Sequence, residues 1–222
     1  NTPSNPTGAV LSQNEIDEIG EVCERHDIWI VVDEVYADLT YSAPFCSPFD
    51  RPHLRHRTLA VSSISKSHAL PGFRAGWIAS PLEVTQRLVL VAEAMLFGSQ
   101  PFIEDALAVA LSQRHPEVEN LSAAFKDRAQ QLVGAFEGST AAKARMPEGG
   151  MFIMVDIRET GMSGDDFAWM LLNDHDIVVM PGESFGTGGT GHIRLALTND
   201  VKILREAGAR IRVVAEAVVA AR

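Results

Sequence analysis

Lys66 stands among four serines in the stretch 62–77, which reads Ser-Ser-Ile-Ser-Lys-Ser-His-Ala-Leu-Pro-Gly-Phe-Arg-Ala-Gly-Trp and follows the apolar run Leu59, Ala60, Val61. An ammonium at the end of a buried strand loses hydration unless it changes protonation state or gains a partner. A desolvated lysine with a lowered pKa is a nucleophile able to form a Schiff base with an aldehyde. The hydroxyls of Ser63 and Ser65 and the guanidinium of Arg74, eight positions on, form a donor set suited to a phosphate. An aldehyde that needs the amine and a phosphate that needs the donors together point to pyridoxal 5'-phosphate. The plain alternative, a lysine snorkelling from a strand end into water, leaves the pattern Ser-x-Ser-Lys followed by Pro-Gly-Phe-Arg-x-Gly-Trp without a reason.

The elements that must position these groups follow from periodicity. Ser12 with Glu15 is a capping-box pattern, and Ile16, Ile19, Val22 and Cys23 recur at helical spacing, so a helix is expected over 12–26, with Cys23 in the core. The apolar, β-branched run 28–32 predicts a strand buried on both faces, as in a parallel sheet covered by helices. It stops at Asp33-Glu34-Val35-Tyr36, and ligands of open α/β sheets sit beyond the carboxyl ends of strands, which places Asp33 where a ligand would be. Strands are expected at 58–64, leading to Lys66, and at 75–79. Ser80 as N-cap with Pro81 after it opens a helix to about 97, Pro101 opens another to about 113, and 117–137 reads as one long helix. Beyond Ala144 come strands at 151–156, 177–180 and 192–197, a helix capped at Ser163 and a last helix over 200–220.

At the lysine segment the chain resembles the class I/II pyridoxal-phosphate-dependent aminotransferases of fold type I. Further segments match the family pattern: Ser4-Asn5-Pro6-Thr7-Gly8, Asp33 with Tyr36, Gly149-Gly150, Pro181-Gly182-Glu183-Ser184-Phe185-Gly186, and Arg194 within His192-Ile193-Arg194-Leu195-Ala196-Leu197. The resemblance implies an α/β fold: part of a large, mostly parallel-sheet domain over 1–118, then the interdomain helix and a small α/β domain over 119–222. It implies that Lys66 holds pyridoxal 5'-phosphate as an aldimine and acts afterwards as general base. Asp33 would keep the pyridine nitrogen protonated, Tyr36 and Asn5 would serve the ring oxygen, and Ser63, Ser65 and Arg74 the phosphate. Arg194, set among apolar residues, is either an edge-strand charge or faces a polar partner; the partner the resemblance implies is a substrate carboxylate. It also implies a cis bond before Pro6, a ping-pong exchange between an amino acid and a 2-oxo acid, and a homodimer. In the family a phosphate-binding turn and a ring-stacking aromatic residue lie upstream of the Asn-Pro segment. The chain opens at Asn1 without an initiator methionine, so the family's N-terminal half is expected to be missing and the chain to supply only part of an active site.

The same residues serve lyases, decarboxylases and racemases of this fold, and an aminotransferase-like module also forms the effector domain of one group of transcription regulators. The run 95–102 carries no arginine of the kind some dicarboxylate-specific members place there, and is loosely similar to arginine:pyruvate transaminases. A net charge of -10 over 222 residues disfavours a nucleic-acid surface. No apolar run nears the roughly 20 residues that span a bilayer. Two cysteines without zinc or disulfide spacing fit a reducing, cytoplasmic compartment. His53 and His56 lack companions at ligand spacing, so no metal site is expected. Gly186-Thr187-Gly188-Gly189-Thr190-Gly191 has the letters of a dinucleotide fingerprint, but a strand follows where a helix is required, and it reads as a flexible loop near the substrate.

Overall fold

The computed structural model describes residues 1–42, 44–113 and 115–222. They divide into two compact units, one of Asn1–Pro3 and Val10–Ser122, the other of Ser4–Ala9 and Ala123–Arg222.

The first unit opens with α1 (Gln13–Arg25), closed by the expected capping box: the Glu15 N–H donates to Ser12 Oγ at 3.3 Å, and the Ser12 N–H donates to Glu15 Oε2 at 2.8 Å. Of its apolar positions Ile16 is buried, whereas Ile19 and Val22 are exposed and Cys23 is only partly covered, so the expected core place of Cys23 is not observed. β1 (Ile30–Asp33) and β2 (Thr58–Ser63) pair in parallel, with Ile30 opposite Thr58 and Asp33 opposite Val61. β3 (Gly76–Ala79) returns antiparallel to β2, giving a mixed three-stranded sheet in the order β1-β2-β3. Among the described residues the expected cover on both faces is not met: β1 lies at the edge of this sheet and starts two residues later than expected, Val32 is buried, and Val31 stands 68% exposed on a face that no described residue covers.

Between β2 and β3 lies the one-turn helix α2 (Ile64–Ser67), which carries Lys66. α3 (Leu82–Leu96) and α4 (Pro101–Ser112) follow. The residue before α3 is Pro81, not Ser80, and no side chain caps the helix; the Ser80 hydroxyl is hydrogen-bonded to Thr85 Oγ1 at 2.7 Å. Neither helix buries a residue fully, and Leu82, Leu90, Met95, Phe102 and Val109 point to solvent. α5 (Pro116–Gly134) begins in this unit.

The second unit is built on a four-stranded antiparallel sheet of β4 (Lys143–Ala144), β5 (Phe152–Asp156), β6 (Met180–Pro181) and β7 (His192–Ala196), in the order β4-β5-β7-β6. α6 (Gly164–His175), capped by Ser163 as expected, and α7 (Val201–Ala220), capped by Asp200, complete it. α7 meets the second half of α5 closely: a Cβ on Gly208 would lie 2.8 Å from Leu132 Cδ1 and 2.9 Å from Ala135 Cβ. The strand expected at 177–180 pairs only at its end.

The glycine-rich segment is not an open, flexible loop. It folds into two 3-10 turns, Gly182–Phe185 and Thr187–Gly189, closed by N–H donations from Gly186 to the Glu183 carbonyl and from Thr190 to that of Thr187. The backbones of Gly182 and Gly189 approach so closely that a Cβ on Gly182 would collide with the Gly189 carbonyl, while one on Gly188 would meet nothing within 4 Å. Gly182→Ala is therefore expected to cost about 3 kcal/mol. Gly188→Ala should stay within about 0.5 kcal/mol of the parent in denaturant unfolding. Equal effects would contradict the packed-turn geometry.

Candidate active site

Parallel pairing sends the carboxyl ends of β1 and β2 to the same edge of their sheet. Asp33 ends β1, and Lys66 follows β2 by three residues. Beyond β1 the Glu34 N–H donates to the Val61 carbonyl at 2.8 Å and Ser62 Oγ to the Glu34 carbonyl at 3.3 Å, prolonging the register. Asp33 Oδ1 accepts the Val35 N–H at 3.0 Å, an Asx-type turn that leads the chain to buried Tyr36.

Lys66 is partly buried on α2, and among the described residues its ammonium has no hydrogen-bond or ion-pair partner. Ser63 caps α2: its Oγ accepts the Ser65 N–H at 3.0 Å, lies 2.8 Å from Ser65 Oγ, and donates to the Ala75 carbonyl at 2.7 Å. Ser63 thus ties the lysine turn to the start of β3. Arg74 adopts a left-handed backbone (φ 52°) after the 3-10 turn Pro71–Phe73, is exposed, and donates to the Pro71 carbonyl at 2.8 Å.

Glu34 was not singled out in the sequence. Burial pushes its carboxyl above the usual range; the Ser47 hydroxyl, donating to Oε1, opposes this, and the charges of Asp50 and Asp33 add to it.

The other two sequence candidates lie together in the second unit. Arg194 sits on β7, between β5 and β6, which excludes the edge-strand alternative. Its Nη1 donates to Asn5 Oδ1 at 2.8 Å, and its guanidinium carbon lies 4.0 Å from the ring centroid of Phe152 and 4.7 Å from that of Phe185. The register explains Phe152: Arg194 faces Met154 across β5 and β7, and Phe152, two residues from Met154, shares that face. Asn5 reaches this place because the turn Ser4–Ala9 belongs to the second unit, with the Asn5–Pro6 bond cis as expected and the Gly8 carbonyl accepting the N–H groups of Glu148 and Gly149. The Thr2–Pro3 bond is also cis, without having been anticipated. The two rings were missed by sequence reasoning, although the Pro-Gly-x-x-Phe-Gly spacing marked Phe185.

Comparison with known proteins identifies the family. A family model described as aminotransferase class I and II matches residues 1–211. The chain belongs to the class I and II aminotransferase family. An arginine–pyruvate transaminase of Pseudomonas aeruginosa is 41% identical over 211 residues, which are 95% of this chain and 54% of that protein. An aspartate aminotransferase of Musicola paradisiaca is 32% identical, over 92% of this chain and 52% of its own. The crystal structure of an aromatic aminotransferase from Pyrococcus horikoshii superimposes with a TM-score of 0.92 at 29% identity, covering 97% of this chain and 58% of that one. The chain thus spans about half the length of the aminotransferases it matches. Members of the family are in general pyridoxal-phosphate-dependent.

The raised Glu34 carboxyl fixes the sign of one pH effect. A carboxyl whose folded pKa lies above its unfolded value stabilises the fold relatively at low pH, and that contribution is lost as pH rises through the folded pKa. Glu34→Gln, which keeps an oxygen for the Ser47 hydroxyl, is expected to flatten the decline in unfolding midpoint above pH 4.5. An unchanged pH profile would show that Glu34 is not the group responsible.

Proposed function

We propose that this chain carries the lysine-bearing part of a pyridoxal-phosphate-dependent aminotransferase that moves an amino group from an amino acid to a 2-oxo acid in two half-reactions. The observation that carries the reading is the partly buried, unpartnered Lys66 amine at the sheet edge where Asp33 ends the neighbouring parallel strand. Within the first unit the residue types suit the cofactor: an amine for the aldehyde, a carboxylate for the pyridine nitrogen, a phenol for the ring oxygen, and the Ser65 hydroxyl with a guanidinium for the phosphate, while the Ser63 hydroxyl, donated to the Ala75 carbonyl, holds the turn. Lys66, Asp33, Tyr36, Ser65 and Arg74 take these parts, and the family resemblance alone assigns Asn5 to the ring oxygen. When bound, the cofactor supplies an electron sink for the charge left at the substrate α-carbon as its proton departs.

The chain's own residues do the rest. With the cofactor bound, Lys66 Nζ would take the α-proton as a general base. The Asp33 carboxylate would pair with the protonated pyridine nitrogen. Arg194 turns the edge of its guanidinium, where its N–H donors lie, to the substrate α-carboxylate.

The relative at 41% identity is named an arginine–pyruvate transaminase, and the absence of an arginine from 95–102 removes the pattern for a second carboxylate. Arginine with pyruvate is therefore the first pair to assay. The homodimer rests on the family resemblance, supported by the apolar side chains that α3 and α4 expose. A cytoplasmic, cofactor-loaded enzyme without nucleic-acid or membrane partners completes the reading. Among the described residues both cysteines are free, and no helix is long and apolar enough to cross a membrane.

Single-turnover chemistry tests the reaction class. Loaded full-length enzyme given an amino donor alone is expected to release one equivalent of 2-oxo acid and stop until a second oxo acid is added. Continuous ammonia or carbon dioxide release would assign a lyase or decarboxylase instead. Lys66→Ala is expected to slow the half-reaction by about 10⁴-fold, the upper range for loss of a positioned base.

A further inference from the structure

Resting on the carboxylate-binding reading of Arg194, we infer that Glu183 is a positioning residue for that arginine, acting through the turn that presents Phe185 to the guanidinium. Glu183 lies in the 3-10 turn Gly182–Phe185, and its carboxylate reaches the backbone before α6 and β7. Its Oε1 accepts two backbone N–H groups at once, from Gly164 at the start of α6 (2.8 Å) and from Gly191 just before β7 (3.0 Å). One carboxylate oxygen thereby joins a helix start, the turn itself and the entry of the strand that carries Arg194. The main chain of the same residue closes the turn, its carbonyl accepting the Gly186 N–H at 3.1 Å.

The joint is shaped for this carboxylate. A Cβ on Gly164 would collide with Glu183 Oε2 and with the His192 carbonyl, so the close approach of α6 requires glycine. Among the described residues Oε2 is closed off from solvent without a hydrogen-bond partner of its own. Burial pushes the carboxyl up, but the N–H groups of Gly191 and Gly164, its own N–H and the charge of His192 outweigh that and hold it below the usual range. The charged form is therefore the one the fold keeps.

Two residues on, the Phe185 ring centroid lies 4.7 Å from the Arg194 guanidinium carbon. Arginine carries much rotamer freedom, and a cation held against two rings gives up little more of it on binding an anion. With the clamp broken, the Gly164 and Gly191 donors lose their acceptor, the turn loosens and Phe185 no longer fixes the guanidinium. The loss then falls on substrates that have a carboxylate and spares those that lack one.

The test uses the loaded full-length enzyme, its amino-acid donor and the matching amine that lacks the α-carboxylate. Glu183→Ala is expected to lower the kcat/KM preference for the amino acid about tenfold, mainly through KM, as when backbone donors are left unsatisfied. Glu183→Gln, which retains an acceptor oxygen, should recover most of it. Phe185→Leu, with the clamp intact, should show the same loss at a nearly unchanged melting temperature, so the inference stays testable if Glu183→Ala folds poorly. Unchanged discrimination in Glu183→Ala and Phe185→Leu would overturn the inference, as would an equal loss on both substrates. If the wild-type enzyme itself showed no preference for the carboxylate, the Arg194 reading would fall first and this inference with it, a result visible before any variant is made.

Discussion

The parallel register of β1 on β2 is the constraint on which the lysine site depends. It sets Asp33 opposite Val61 and brings two carboxyl ends to one sheet edge, which neither strand could arrange alone. Side chains alternate along a strand, so a slip by one residue would turn the Asp33 carboxylate to the face where Val32 is buried. Burying an unpaired carboxylate costs several kcal/mol, far more than a single ladder hydrogen bond returns. Antiparallel β3 then closes on β2 so tightly that a Cβ on Gly76 would stand 2.6 Å from the Ser62 carbonyl. Together with the Ser63 bond to the Ala75 carbonyl, this holds the Lys66 turn from both sides.

The second unit meets a related problem, an arginine on a central strand, by other means. Desolvating a guanidinium is costly unless its faces and its edge both find partners. The Phe152 and Phe185 rings lie against it, and the Asn5 carboxamide oxygen takes one N–H at its edge. This arrangement links features far apart in the chain: the cis turn at Asn5–Pro6, the glycine-rich turns after Pro181, and the register of β5 on β7.

Local signals were the legible part of the sequence. Helix starts at Ser12 and Ser163 carry their caps within three residues, and both appeared as expected. The spacing of Lys66 and Arg74, and the strand around Arg194, identified the family before any fold was known. What failed was non-local. The β-branched run 28–32 reports strand propensity, but whether Val31 is covered depends on elements remote in sequence, and among the described residues nothing covers it. Ser80 looked like a cap, but Pro81 is the residue before the helix and the Ser80 hydroxyl bonds Thr85. The glycines at 186–191 read as freedom when they serve close backbone approach, a distinction that exists only once Gly182 and Gly189 face each other. The rings on Arg194 likewise depend on strand register, which no single segment encodes.

On the proposed reading, the Lys66 amine is the point at which the cofactor is held. Borohydride reduction of the full-length protein loaded with pyridoxal phosphate, followed by peptide mass mapping, tests it most directly. The account predicts a phosphopyridoxyl mass on the peptide that contains Lys66 and on no other. Label on a different lysine, or none under conditions where the cofactor is bound, would contradict it.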